Sequence, residues 1–175
     1  MKEIQKNRRE IYDGRVIHVV CDDVELENGE TSKREVVLHN GGVCIALKDE
    51  DGKFFMVRQF RYAIGRDVLE FCAGKIEKGE EPLHAILREC EEELGYKADD
   101  LTYLGTLIPT PGYCSEIIHL YYGKKGEKVG QHFDKDEDLA LEKYSAEEIG
   151  KMIEEGVIND SKTIALLYRI ERKGL

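Results

Sequence analysis

Residues 74–96 read GKIEKGEEPLHAILRECEEELGY, and the fold and chemistry of the chain are both read outward from this stretch. Pro82 suits the first turn of a helix, where a missing N–H costs nothing. Gly95 suits the left-handed position just past the last turn. Between them Leu83, Ile86, Leu87, Cys90 and Leu94 recur at helical spacing, so one face is expected to pack on a core. Glu89, Glu92 and Glu93 stand at i, i+3 and i+4 and share the other face. They crowd the C-terminal end, which already carries about half a negative charge. A solvated acidic face is the ordinary reading of such a run. A bound cation is the alternative. An all-oxygen donor set without His or Cys favours Mg²⁺, or Mn²⁺, over zinc.

The chain has 175 residues, enough for one domain with a sizeable core. Its net charge of −10 argues against general affinity for nucleic acid or an anionic membrane. An anionic substrate therefore needs local compensation from a metal or from placed arginines. No apolar run reaches membrane-spanning length, and MKEIQKNRRE lacks the core of a signal peptide. Five cysteines without a C-x-x-C pair are expected as free thiols in a reducing cytoplasm, with no zinc site.

Strands dominate the element order. Residues 15–26 and 33–38 are expected to pair across an Asn28-Gly29 turn. Further strands are expected at 43–47, 54–60, 68–71, 103–108, 117–122 and 139–144. After the helix of the 74–96 stretch, two more helices are expected, from Ser145 to about 155 and from about 161 to 172. Ser145 with Glu148 forms a capping box. The expected organisation is α/β (α+β): an N-terminal antiparallel β extension over 1–40 and a main body over 41–175.

Gly74, Glu80, Arg88, Glu89, Glu92, Glu93 and Gly95 match G-x5-E-x7-R-E-U-x-E-E-x-G-U position for position, and the chain closely resembles the Nudix hydrolases. Cys90 and Tyr96 depart mildly in the variable slots. The resemblance implies a mixed β-sheet sandwiched between helices. It extends to the ADP-ribose pyrophosphatase branch through Gln59, Arg61, Leu69, Glu70, Ala73 and Gly74, with Cys72 where that branch usually has proline. Pro111, sixteen positions after Gly95 and followed by Gly112, Ser115 and Glu116, has the spacing of ADP-ribose hydrolases.

What this resemblance implies is specific. Glu89, Glu92 and Glu93, with the Ala73 carbonyl, would hold Mg²⁺ (or Mn²⁺), and Gly74 would allow close approach. Arg88 would hold a box carboxylate, and Glu80 would have a structural role. The catalytic candidates are Glu92, Arg88 and, as general base, Glu137 of the acidic loop 134–138, with Glu116 as rival. His132 is read as incidental. Arg61, in preference to Arg58, would bind phosphate or terminal ribose. Glu70 would accept hydrogen bonds from base or ribose, and Glu116 is the third substrate candidate. Without tryptophan, Tyr12, Phe60 and Tyr62 are the aromatic candidates for adenine, although core packing is the commoner role for a strand aromatic. The expected reaction is hydrolysis of ADP-ribose to AMP and ribose 5-phosphate by a cytoplasmic homodimer completed by the β extension. The alternatives are another nucleoside diphosphate sugar, of GDP-mannose or ADP-glucose type, and a non-catalytic nucleotide-binding regulator. Sanitation of oxidised triphosphates is disfavoured by the Pro111 loop.

Overall fold

β-Branched and apolar residues run without interruption over 43–47 of the strand Gly42–Lys48 (GVCIALK), the pattern of a strand buried on both faces. In the computed structural model, which describes residues 2–132 and 139–175, this strand lies at the centre of the main sheet. The strands are β1 (Ile4–Asp13), β2 (His18–Glu25), β3 (Thr31–Leu38), β4 (Gly42–Lys48), β5 (Phe54–Arg61), β6 (Arg66–Glu70), β7 (Cys72–Lys75), β8 (Tyr96–Leu107), β9 (Ile118–Lys128) and β10 (Leu139–Tyr144). The helices are α1 (Pro82–Glu89), α2 (Ala146–Glu154) and α3 (Ser161–Lys173).

The chain divides into two compact units: residues up to Gly41 with Ile108–Ile117, and Gly42–Leu107 with Ile118–Leu175. In the second unit the sheet order is β10-β5-β4-β9-β8, with β6 on β5 and β7 on β4. The β4–β9 pairing is parallel, and the other pairings of this sheet are antiparallel. The sheet is mixed, as expected. Alternation along β4 sorts its side chains between two cores. Cys44 and Ala46 join Phe54, Met56, Leu120, Ile149, Leu166 and Ile170, on the side of α2 and α3. Val43, Ile45 and Leu47 join Phe55, Val57, Ala85, Ile86, Cys90 and Leu94, on the side of α1. Helices thus cover both faces.

In the first unit β1, β2 and β3 form an antiparallel sheet. Gly29 turns the β2–β3 hairpin with φ 84°. β1 was not anticipated. IQKNRREIYD is exposed along its whole length, so no buried face imposes an alternation that could be read. It is held by backbone pairing and by Arg8, whose Nε and Nη2 each donate at 2.8 Å to the buried Asp22 across the ladder. That guanidinium keeps the Asp22 carboxyl below its usual range. The segment Ile108–Ile117 joins this unit through Val37: its N–H donates to the Tyr113 carbonyl (2.7 Å), and Ser115 N–H donates to the Val37 carbonyl (2.9 Å).

Other boundaries moved outward. β8 begins at Tyr96 and β9 runs to Lys128, because backbone pairing carries both strands into residues whose side chains are polar. The capping box formed as expected, with Glu148 N–H to Ser145 Oγ at 3.2 Å and Ser145 N–H to Glu148 Oε2 at 2.7 Å. Among the described residues no helix is long and apolar enough to cross a membrane.

Candidate active site

β7 delivers the chain to a glycine-bearing turn, and Pro82 opens α1 at its first position. The buried stripe runs through Ala85, Ile86, Cys90 and Leu94, whereas Leu83, expected on that face, is exposed in the first turn. The helix does not continue as an α-helix to Gly95. Residues Cys90–Leu94 form a π turn, closed by Gly95 at φ 74°. This widening, recurrent at functional sites, changes the angular relation among the acids. Equal α spacing would put Glu89, Glu92 and Glu93 on one face. Here Glu93 is buried and Glu92 is partly exposed.

Arg88 is the hub of the acidic end. Its Nε and Nη2 donate to the two oxygens of Glu80 (both 3.1 Å), and Nη1 donates to Glu89 Oε1 and Glu92 Oε2 (both 2.9 Å). Nη2 also donates to the Lys75 carbonyl at 3.1 Å. The Glu80 carboxylate first, with Glu89 and Glu92 besides, raises the arginine's pKa against the effect of burial. Glu80 accepts the Glu77 N–H at 2.9 Å, and its carboxyl is held below the usual range, chiefly by Arg88. Glu80 therefore ties the loop to the helix. Nearby, the Cys90 thiol, burial and the Glu93 carboxylate push the buried Cys72 thiol up.

Gly74 and Glu89 are in close contact. A Cβ on Gly74 would lie 1.8 Å from both Cδ and Oε1 of Glu89, so only glycine admits this carboxylate against β7. Ala73 immediately precedes it in β7, paired with Cys44 of β4. Among the described residues, no three His, Cys, Asp or Glu side chains converge as a ready-made metal cluster. A guanidinium lies between Glu89 and Glu92.

Glu70 and Arg61 do meet. Glu70 is 2% exposed, and its Oε1 accepts from Arg61 Nε at 2.7 Å and lies 2.6 Å from Nη2. Its Oε2 accepts from Lys162, which also donates to Asp160 at 3.0 Å. Both Glu70 oxygens are thus engaged by cations. Burial opposes the charge on Lys162, but the Glu70 and Asp160 carboxylates raise its pKa above the usual value. Asp160 caps α3 through Thr163 N–H (2.9 Å) and Oγ1 (2.7 Å), and Thr163 Oγ1 accepts the Phe71 N–H at 3.0 Å. Sequence reading missed Lys162 and Asp160. The Asp-Ser-Lys-Thr run announces a helix cap, but nothing local points to a partner 92 residues away.

Arg58 is engaged elsewhere. It donates to Glu142 of β10 at 2.5 and 3.2 Å, and Tyr144 donates to the same carboxylate. In the first unit Glu116 stands 3.6 Å from Nδ1 of His39. His39 N–H donates to Ser115 Oγ at 2.9 Å, and its Nδ1 accepts the Gly41 N–H at 3.0 Å. His39 was also missed. Tyr12, Phe60 and Tyr62 are all exposed, so none is taken up by core packing. Glu137 lies outside the described residues. His132 contributes its backbone N–H, at 3.1 Å, to the Glu92 carbonyl.

The NUDIX domain matches residues 38–167. The chain belongs to the Nudix family. It is 36% identical to the ADP-ribose pyrophosphatase of Bacillus subtilis (strain 168), covering 99% of this chain and 96% of that protein. It is 41% identical to the methanol dehydrogenase activator of Bacillus methanolicus, covering 93% and 89%. A solved structure described as an ADP compounds hydrolase superposes with a TM-score of 0.86, covering 99% of this chain and 96% of that one. At 22% identity that likeness is one of fold. Nudix hydrolases use a divalent metal. The residues here fit such an ion: the donors are hard oxygens, and Glu89 lies in a cradle that a Cβ at position 74 would fill.

Proposed function

We propose that this Nudix hydrolase cleaves the diphosphate of ADP-ribose, with Mg²⁺ as its metal, to give AMP and ribose 5-phosphate. The observation that carries the reading is the seat of Glu89 against Gly74, at the start of a turn that also bears Glu92 and Glu93. The 36% identical ADP-ribose pyrophosphatase, aligned over nearly the full length of both chains, supports the substrate.

In the reaction a water oxygen bonds to one phosphorus, the bond from that phosphorus to the bridging oxygen breaks, and one proton is released to a base. Glu89, Glu92 and Glu93, with the Ala73 carbonyl, would hold the ion, which supplies charge neutralisation and an acidified water. Arg88 keeps Glu89 and Glu92 apart yet anchored, and Glu80 steers Arg88. Arg61 is fixed on one edge by Glu70 and is partly exposed on the other, which suits a phosphate or ribose oxygen. Glu137 is the proposed base, and Glu116 a substrate contact presented by the Pro111 loop.

The first unit is proposed to pair two copies of the chain. Ile4, Ile11 and Tyr12 are exposed on the edge strand β1, which has no buried face, and Val16 and Ile17 are exposed just after it. A reducing cytoplasm suits the five free cysteines.

A panel of ADP-ribose, ADP-glucose, GDP-mannose and 8-oxo-dGTP, each with Mg²⁺ and with chelator, tests this reading. Metal-dependent preference for ADP-ribose supports it, preference for a hexose moves the specificity, and tight binding without turnover overturns the enzyme. The 41% identical activator favours a second reading, in which the nucleotide site serves a partner enzyme. Turnover that changes only when such an enzyme is added would distinguish it.

A further inference from the structure

The C-terminal end of the acidic helix is capped from far along the chain. A helix end leaves its last carbonyls without intrahelical donors, and here those carbonyls sit among carboxylates. The segment after β9 supplies the donors. His132 N–H reaches the Glu92 carbonyl at 3.1 Å, and Val129 and Gly130 N–H reach the Gly95 carbonyl at 2.9 and 3.1 Å. One of the donors is a side chain: Gln131 Nε2 donates to the Glu93 carbonyl at 2.7 Å, the shortest bond of the set. The packing around it is close. A Cβ on Gly95 would lie 3.0 Å from both the Gln131 backbone nitrogen and Cγ, a tight contact, and the φ of +74° itself favours glycine.

Glutamine suits this place chemically. The Glu93 carbonyl needs a donor, a carboxylate there would repel it, and an ammonium would compete with a cation for the neighbouring acids. A π turn makes its own i→i+5 bonds, but its last carbonyls have no donor within the helix, so bonds from outside help to fix its end. We propose that Gln131 is a positioning residue: its amide, by fixing the Glu93 carbonyl, holds the π turn in the register that presents Glu92 and Glu93 to the metal. This rests on the proposed metal role of those acids. It adds a residue from outside the 74–96 stretch, placed to act through the backbone rather than by touching metal or substrate.

The test is a Mn²⁺ titration followed by electron paramagnetic resonance on the full chain without substrate, together with kcat and KM for ADP-ribose and a thermal melt. Gln131→Leu keeps the bulk against Gly95 and removes the donor. Mn²⁺ affinity should weaken by about tenfold and kcat should fall by a similar factor, the scale of losses on removing an outer support of a metal ligand. KM should stay within about twofold, since no substrate contact is removed. A lowered melting temperature with unchanged Mn²⁺ affinity and kcat would make Gln131 merely structural and overturn the proposal. If Gln131→Leu does not fold, Gln131→Asn, one methylene too short for the bond, carries the same test. Failure of the wild type to bind Mn²⁺ would overturn the metal site and this proposal together. Wild-type binding matched by the variants would overturn this proposal alone.

Discussion

Two clusters of charge in the second unit are built on opposite principles. Around Glu70 two carboxylates face two cations: Arg61 and Lys162 engage Glu70, and Lys162 also engages Asp160. The group is largely buried, balanced and tied into a helix cap. At the end of α1, Glu80, Glu89 and Glu92 gather on Arg88, and the buried Glu93 lies in the same turn. The first cluster is complete as it stands. Among the described residues the second sets more carboxylates than cations on a helix end that disfavours them, an arrangement that a divalent ion would balance.

The sharpest way to break this contrast is Glu93→Gln. Turnover should fall by about 10³-fold or more, roughly 4 kcal/mol of barrier, if the carboxylate is a metal ligand. The same change should leave the metal-free melting temperature level or raised, because one of several like charges has gone. Initial rates and circular dichroism on one preparation read both. The balanced cluster should behave in the reverse manner. Lys162→Met strips one cation from buried Glu70 and should lower stability by about 3 kcal/mol, and Glu70→Gln/Lys162→Met should recover part of it. Denaturant unfolding of the three variants measures this.

Gly74→Ala comes next. Its Cβ cannot coexist with Glu89 as placed, so the carboxylate must move, at a cost of about 1–3 kcal/mol together with weakened metal affinity. Calorimetry with and without Mn²⁺ separates the two effects. The smallest effect concerns pH. Arg88 depresses the pKa of Glu80, so this carboxylate's stabilisation is complete above the ordinary carboxylate range and is lost as pH falls through the depressed value. Melting temperature should decline on the acid side of about pH 4.5. Arg88→Met should flatten that slope.

The two clusters also differ in how far the sequence disclosed them. The acidic helix end was legible because its residues are local: proline, glycine and the acids lie within 23 positions of one another. The π turn was not legible, since the same apolar spacing fits an α-helix and only backbone bonding distinguishes them. The Glu70 cluster joins residues 92 apart, and no periodicity encodes a partner at that distance. β1 escaped for a different reason: a strand with no buried face leaves no alternation to read. The Pro111 segment was legible as a turn, but its place in the first unit depends on backbone bonds to Val37 that no side-chain pattern announces.

The most direct measurement is a Mn²⁺ titration of the wild type and of Glu89→Gln by electron paramagnetic resonance at neutral pH. If the unbalanced acidic end is the metal site, the wild type binds the ion and Glu89→Gln loses most of that affinity while remaining folded. Equal binding by both, or no binding by the wild type, would contradict it.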